Sequence, residues 1–264
     1  MGKRRTNDLI ELTLDVSDPT RSLEFYTKAL GMELCDHSGP TPSGESAWDL
    51  GFRQGAKLKL RHRADERFRD AVYEPGENDL YWKIGITLAD VDLARSRLIA
   101  SGVEVSEPCQ FHDIGYLCHL EDPDGYCIEL LQHQFACNFA RCPANDGYPL
   151  GGGAMIGQVS INVSDIDREL AFYRDQLGLR LLSRQVVPGR GFTLYFLADT
   201  DDILPESDVD AAENREWLWQ RPYTVLELRS WDQKRPGLAN ASDDTLGFRG
   251  ILFAQSGART DSIS

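Results

Sequence analysis

The chain opens on a regular alternation of apolar and polar residues. Ile10, Leu12, Leu14 and Val16 fall on one side of an extended segment, with Glu11, Thr13 and Asp15 on the other. The same period of two returns far downstream, where Val159, Ile161 and Val163 oppose Gln158, Ser160 and Asn162. Successive side chains of a strand point to opposite faces, so both segments predict strands with one apolar and one polar face. The apolar face lies under helices. The polar face meets either bulk water or a cup that closes around a site, and alternation alone leaves both open.

Both strands lead into the same continuation. Glu11 to Met32 (ELTLDVSDPTRSLEFYTKALGM) aligns without a gap with Gln158 to Leu179 (QVSINVSDIDRELAFYRDQLGL). The matches fall at VSD, at the pairs Phe25-Tyr26 and Phe172-Tyr173, and at Leu30-Gly31 and Leu177-Gly178. Each copy predicts a strand, a capping aspartate (Asp18, Asp165), an amphipathic helix and a glycine that stops it. A weaker copy starts near Leu80, with Asp90 and Gly102 in those roles, and closes with DPDGYCIEL, a tight turn from Asp122 to Gly125 before a strand. LGFRGILFAQ reads as the first strand of a fourth copy, followed after Gln255 by a polar tail. Internal repetition organises the whole reading. It predicts an N-terminal domain of two modules over 1–134 and a C-terminal domain of one module plus a truncated fourth over 155–264. The linker between them, 135–154, holds Pro143, Pro149 and Gly151 to Gly153.

Composition adds limits. The 264 residues are 41% hydrophobic and 27% charged, which is globular and sufficient for two cores. A net charge of -14 argues against nucleic acid or an anionic membrane as the partner. The start lacks the apolar stretch of a signal peptide, and no run is long enough to span a membrane. Cys35, Cys109, Cys118, Cys127, Cys137 and Cys142 form no CxxC pair. They predict reduced thiols in a cytoplasmic protein.

The βαβββ order, the VSD…FY…LG block and the DPDGYCIEL ending resemble the vicinal oxygen chelate superfamily, and glyoxalase I in particular. The stretch from Gly191 to Trp231 is similar to the corresponding part of the longer glyoxalase I enzymes, and the resemblance covers residues 8–255. It implies an α+β fold of about three and a fraction βαβββ modules, with sheets curled as half-barrels. It also implies that paired modules offer four convergent side chains to one divalent ion such as zinc, nickel, cobalt or manganese. The expected activity is that of a divergent lyase or isomerase acting on a small oxygenated metabolite.

Carried onto this sequence, the ligand positions are Glu11 and Lys59 in the first module, Lys83 and Glu129 in the second, and Gln158 and Glu227 in the third. The fourth module's histidine falls near Arg249 or Gly250. If the second and third modules pair, Gln158, Glu227 and Glu129 hold the metal, Lys83 stands in place of a histidine, and Glu129 shuttles the proton. If the first and second pair, Glu11, Lys59, Lys83 and Glu129 form an ion-pair cluster that needs no metal, because the charges neutralise each other and a protonated lysine has no lone pair to donate. Burial draws Lys83 towards the neutral amine and carboxylates draw it the other way, which leaves both directions open at the level of sequence. The resemblance places the anchors for a glutathione thiol at Asn162 and Trp231, or Asp15 and Arg63, none of the usual type. His37, His62, His112, His119 and His133 lie outside the ligand positions and read as ordinary residues. Two metal-free alternatives stand beside the metal enzyme. One is a binding protein whose ligand sits between Trp48, Tyr81, Trp82 and Trp231. The other is an enzyme using Lys59, Lys83 and the glutamates. The third module's sheet edge needs a cover, so either a homodimer or docking of the third module on the second is expected.

Overall fold

The capping aspartates do what their spacing predicts. In the computed structural model, which describes residues 8–140, 145–233, 235, 237–254 and 262–263, Asp18, Asp90 and Asp165 each accept backbone N–H groups of the first helical turn. The first module runs β1 (Leu9–Asp15), α1 (Pro19–Glu24), β2 (Glu33–Ser38), β3 (Glu45–Gly51) and β4 (Lys57–Arg63). The second runs β5 (Tyr81–Leu88), α2 (Val91–Ala100), β6 (Cys109–Phe111), β7 (Gly115–Glu121) and β8 (Cys127–Gln132). The third holds β9 (Met155–Val163), α3 (Ile166–Leu177), β10 (Arg180–Val187), β11 (Phe192–Ala198), α4 (Glu213–Leu218) and β12 (Val225–Trp231). Gly178 ends α3 in the left-handed region at φ 67°, where a side chain would be strained. Two strands follow, β13 (Phe248–Phe253) and β14 (Ser262–Ile263).

The architecture is α+β, and the strands form two curled, half-barrel sheets. One has the order β14-β13-β1-β4-β3-β2, the other β10-β11-β12-β9-β5-β8-β7-β6. In the larger sheet β5 and β9 run antiparallel, so the second and third modules pair across the linker. The first module pairs instead with β13, antiparallel to β1. The third module docks on the second along β9 and β5, which is one of the two expected covers. Both the start, 1–7, and most of the polar tail lie outside the described residues.

One detail of the opening strand differs from its alternation. Ile10 is 36% exposed, while Leu9 is buried. A register shift between Leu9 and Glu11 in the pairing with β13 reverses the facing of one residue. Beyond it, Leu12 and Leu14 are fully buried, as their period predicts.

The DPDG turn is tied to the start of the chain. The buried carboxylate of Asp124 accepts from Ser17 N at 2.9 Å, Ser17 Oγ at 2.6 Å and Ser22 Oγ at 2.6 Å. Neighbouring Asp122 accepts from Tyr26 OH at 2.8 Å, and Tyr73 stacks on Tyr126 at 4.6 Å. The first two modules are thereby joined through side chains, with no strand ladder between them among the described residues. Asp124→Ala leaves two buried hydroxyls and an N–H without their acceptor. It is expected to cost about 3 kcal/mol, read as a shift of the urea midpoint, with Asp124→Asn intermediate.

Candidate functional site

Register alone brings the polar faces of four strands together. Gly85 lies opposite Glu129 on one side and Gln158 on the other, and Ser160 lies opposite both Lys83 and Glu227. A side chain at Gly85 would meet Gln158 Cγ at 2.1 Å, so the glycine makes the room through which Gln158 reaches Glu129. Lys83, Glu129, Gln158, Ser160 and Glu227 are all buried.

Lys83 Nζ donates to Glu129 Oε2 at 2.6 Å and lies 3.9 Å from Glu227 Oε2, with the Trp82 ring 4.2 Å away. Gln158 Nε2 donates to Glu129 Oε1 at 2.8 Å. Ser160 Oγ donates to Glu227 Oε2. Two buried oxygens of this group, Gln158 Oε1 and Glu227 Oε1, have no hydrogen-bond partner. A buried acceptor left without a donor is uncommon and costly, so both point to something that visits the site.

The electrostatics separate the two carboxylates. Burial pushes Glu129 up, but the Lys83 ammonium and His119 outweigh it and hold Glu129 well below the usual carboxylate range. Burial also pushes Glu227 up, the charge of Glu129 adds to this, and Lys83 compensates only in part, so Glu227 titrates above its ordinary value. For Lys83 burial pulls down and the two glutamates pull up, and the glutamates win. Of the two directions open to Lys83, the structure therefore selects the charged ammonium.

The group forms part of the wall of a cavity of about 540 Å³. The apolar part of its lining includes Ile114, Leu117, Leu131, Leu194, Phe196 and Trp219. Such a volume and such walls suit a small, partly apolar molecule. Trp82 and Trp231 line it, as expected of a ligand cage, but Trp48 and Tyr81 do not. Trp48 stacks on His37 in the other sheet, and Tyr81 packs with Tyr73 and Tyr126 while donating to Cys127 O.

The Glu11 and Lys59 cup is closed by its own charges. Lys59 Nζ lies 2.7 Å from Glu11 and 3.6 Å from Asp49. Asp15 accepts from Arg61 Nε at 2.7 Å and Arg249 Nε at 2.6 Å, with Arg63 at 3.4 Å. Arg249, one of the two candidates for the fourth module's ligand position, is thus engaged as an ion-pair partner of Asp15. Lys83 and Glu129 do not join Glu11 and Lys59, because their strands lie in different sheets.

Three residues escape the sequence reading. His119, taken as ordinary, places Nε2 3.0 Å from Glu129 Oε2. Counting back from the DPDG turn finds it, since Glu121 pairs with Cys127 and His119 with Glu129. Ser160 follows from its place two residues after Gln158 on the polar face. Arg229 carries no motif; its guanidinium lies 3.9 Å from the Trp82 ring and 4.6 Å from that of Trp231, and its Nε donates to Asn162 Oδ1 at 2.6 Å.

Among the described residues, no three His, Cys, Asp or Glu side chains converge as a metal-holding group. No described helix is long and apolar enough to cross a membrane. The described cysteines are free thiols, and Cys142 lies outside the described residues.

Comparison with known proteins bears on the fold and the family. Glyoxalase I of Saccharomyces cerevisiae is 27% identical over 209 residues, covering 70% of this chain and 60% of its own length. A lactoylglutathione lyase of Oryza sativa is 35% identical over 223 residues, covering 76% and 63%. The chain thus spans less than two thirds of either relative. The crystal structure of glyoxalase I from Zea mays superposes with a TM-score of 0.66 at 22% identity, over 94% of this chain and 74% of that one. The sequence profile of one family matches residues 9–130 and 155–220, on both sides of the β5–β9 seam. A match on both sides of that seam extends beyond one repeated unit, and the chain belongs to the Glyoxalase/Bleomycin resistance protein/Dioxygenase superfamily.

Proposed function

We propose that the chain is an isomerase or lyase that moves a proton between neighbouring carbons of a small oxygenated substrate, with the Lys83 ammonium in the place of a divalent cation. The observation that carries this reading is the buried Lys83 ammonium, 2.6 Å from Glu129 and 3.9 Å from Glu227, on the wall of a cavity. When a proton leaves the carbon beside a carbonyl, negative charge gathers on the oxygen, and a fixed cation there stabilises it. Lys83 supplies that charge. Glu227, raised towards neutrality, takes and returns the proton. Glu129, the shuttle expected from sequence, serves instead as the counter-ion that keeps Lys83 charged and in place.

The donor set does not fit a divalent ion held by Gln158, Glu227 and Glu129. The Lys83 ammonium has no lone pair and already lies against Glu129. A second cation in that space would meet it at short range. The metal reading keeps one supporting observation, the unpartnered Gln158 Oε1 and Glu227 Oε1. Relatives named for lactoylglutathione suggest a thiol conjugate. Here Asn162 is engaged by Asp79 O and Arg229, so the substrate we propose lacks glutathione.

The test is solvent exchange in D2O, followed by proton NMR with 2-hydroxyacetophenone and 2-oxo-4-phenylbutanoate as probes. The carbon-bound proton beside the carbonyl is expected to be lost faster with the protein than without it, at unchanged rate in EDTA. Exchange that stops in EDTA and returns with zinc or manganese would establish the metal reading. Binding of the probes with no exchange would leave a sequestering protein.

A further inference from the structure

The unmet hydrogen-bonding groups of the cavity describe the molecule that fills it. Resting on the proton-transfer reading above, the geometry points to a substrate that is a carboxylic acid, anchored by Arg229 and the Trp231 indole N–H, with its oxygenated carbon at Gln158 and Glu227. The class is a 2-hydroxy or 2-oxo acid with an apolar body.

Arg229 is held as a receptor would be. Its Nε is committed to Asn162 Oδ1 at 2.6 Å, and Asn162 Nδ2 is itself fixed by Asp79 O at 2.8 Å. The rings of Trp82, Trp231 and Phe192 surround the guanidinium at 3.9, 4.6 and 5.5 Å. This fixes its plane and leaves the terminal N–H groups in the fork geometry that carboxylates accept. The close carboxylates that hold Arg61, Arg215 and Arg249 have no counterpart at Arg229 among the described residues. Beside it the buried Nε1 of Trp231 also lacks a partner. Two donors without acceptors call for an anion. Further along the wall the unpartnered oxygens of Gln158 and Glu227 call for a donor, which a hydroxyl or an enol supplies.

The spacing sets these groups near one another. Glu227 and Arg229 are two residues apart on β12 and share a face, roughly 6.6 Å apart at their Cα atoms. Both side chains therefore reach one stretch of the cavity wall, where a carboxylate next to an oxygen-bearing carbon meets the two together. The apolar wall of Ile114, Leu117, Phe196 and Trp219 then receives the remainder.

Isothermal titration of the full chain with 3-phenyllactate and with 3-phenyllactamide tests this. The acid is expected to bind about 10- to 100-fold more tightly than the neutral amide, which cannot use the fork as an ion pair. Arg229→Met should bring the two together by weakening the acid alone. Arg229→Lys should restore only part of the gap, because an ammonium lacks the planar fork. Circular dichroism checks that both variants are folded. Equal binding of acid and amide by the unaltered chain, an undiminished gap in folded Arg229→Met, or no binding of either compound would overturn the assignment. The two proposals fail separately. Acid selectivity without D2O exchange keeps the anchor and removes the proton transfer, and exchange without acid selectivity does the reverse.

Discussion

Lys83→Met is expected to lower proton exchange on the order of 100-fold or more and to destabilise the fold by about 3–5 kcal/mol. The substitution keeps most of the side chain's volume and removes the charge together with the N–H that Glu129 accepts. Glu129 and Glu227 then share a buried space with no cation between them, and Glu129 loses the partner that holds it below its usual range. In the unaltered chain a depressed Glu129 contributes stability above the ordinary carboxylate value and loses it as pH falls through the folded value. Without Lys83 that contribution disappears and ionised Glu129 becomes a burden. The gap between variant and parent should therefore be larger at pH 8 than at pH 5, in urea unfolding at the two values. A variant as active and as stable as its parent would make Lys83 a bystander and remove the basis of the proposed chemistry.

Glu227→Gln separates activity from stability in the opposite way. Exchange is expected to fall by roughly 100-fold or more, because an amide cannot accept the proton. Stability at neutral pH should hold or rise. Glu227 is raised in the folded chain, so between the ordinary carboxylate value and the raised one the folded state binds more protons than the unfolded state. Over that window stability declines as pH rises. An amide of the same shape removes the decline, since it has no charge to bury and still accepts from Ser160. Urea midpoints from pH 4.5 to 8 should be flatter in the variant. The rate profile of the parent should rise across the same window as the base form appears, and that limb should be missing in the variant. A parallel loss of stability and activity at all pH values would assign Glu227 a structural role only.

Much of the fold is legible in the sequence because its signals are local. Alternation in β1 and β9, the three capping aspartates and the DPDG turn each act within a few residues, and each forms as its chemistry requires. The exception, Ile10, follows from a register shift, a backbone event with no side-chain signature of its own. Module pairing lies at the other extreme. Both candidate pairings place Lys83 and Glu129 in a cup, so the polar residues alone could not decide between them. The seam is decided by β5 against β9 and β1 against β13, contacts between segments far apart in sequence. The direction of Lys83's titration depends on the same long-range contacts, through Glu227 from the third module. His119 was within reach by counting along the β7–β8 hairpin, and a search confined to family ligand positions passes over it. Arg229 was not, because its cage draws Trp82, Phe192 and Trp231 from three different strands.

The pairing of β1 with β13 also bears on the order in which the chain assembles. Arg249 reaches Asp15 across 234 positions of sequence. Closing a loop of that length costs entropy before any contact offsets it, and contacts so remote in sequence slow folding. Each four-stranded unit and the β5–β9 seam can form from closer segments, whereas the second edge of β1 must wait for β13. Until then β1 presents an unpaired edge on one side, with Asp15 deprived of Arg249, and that interval is when the nascent chain is most exposed to pairing with another copy of itself.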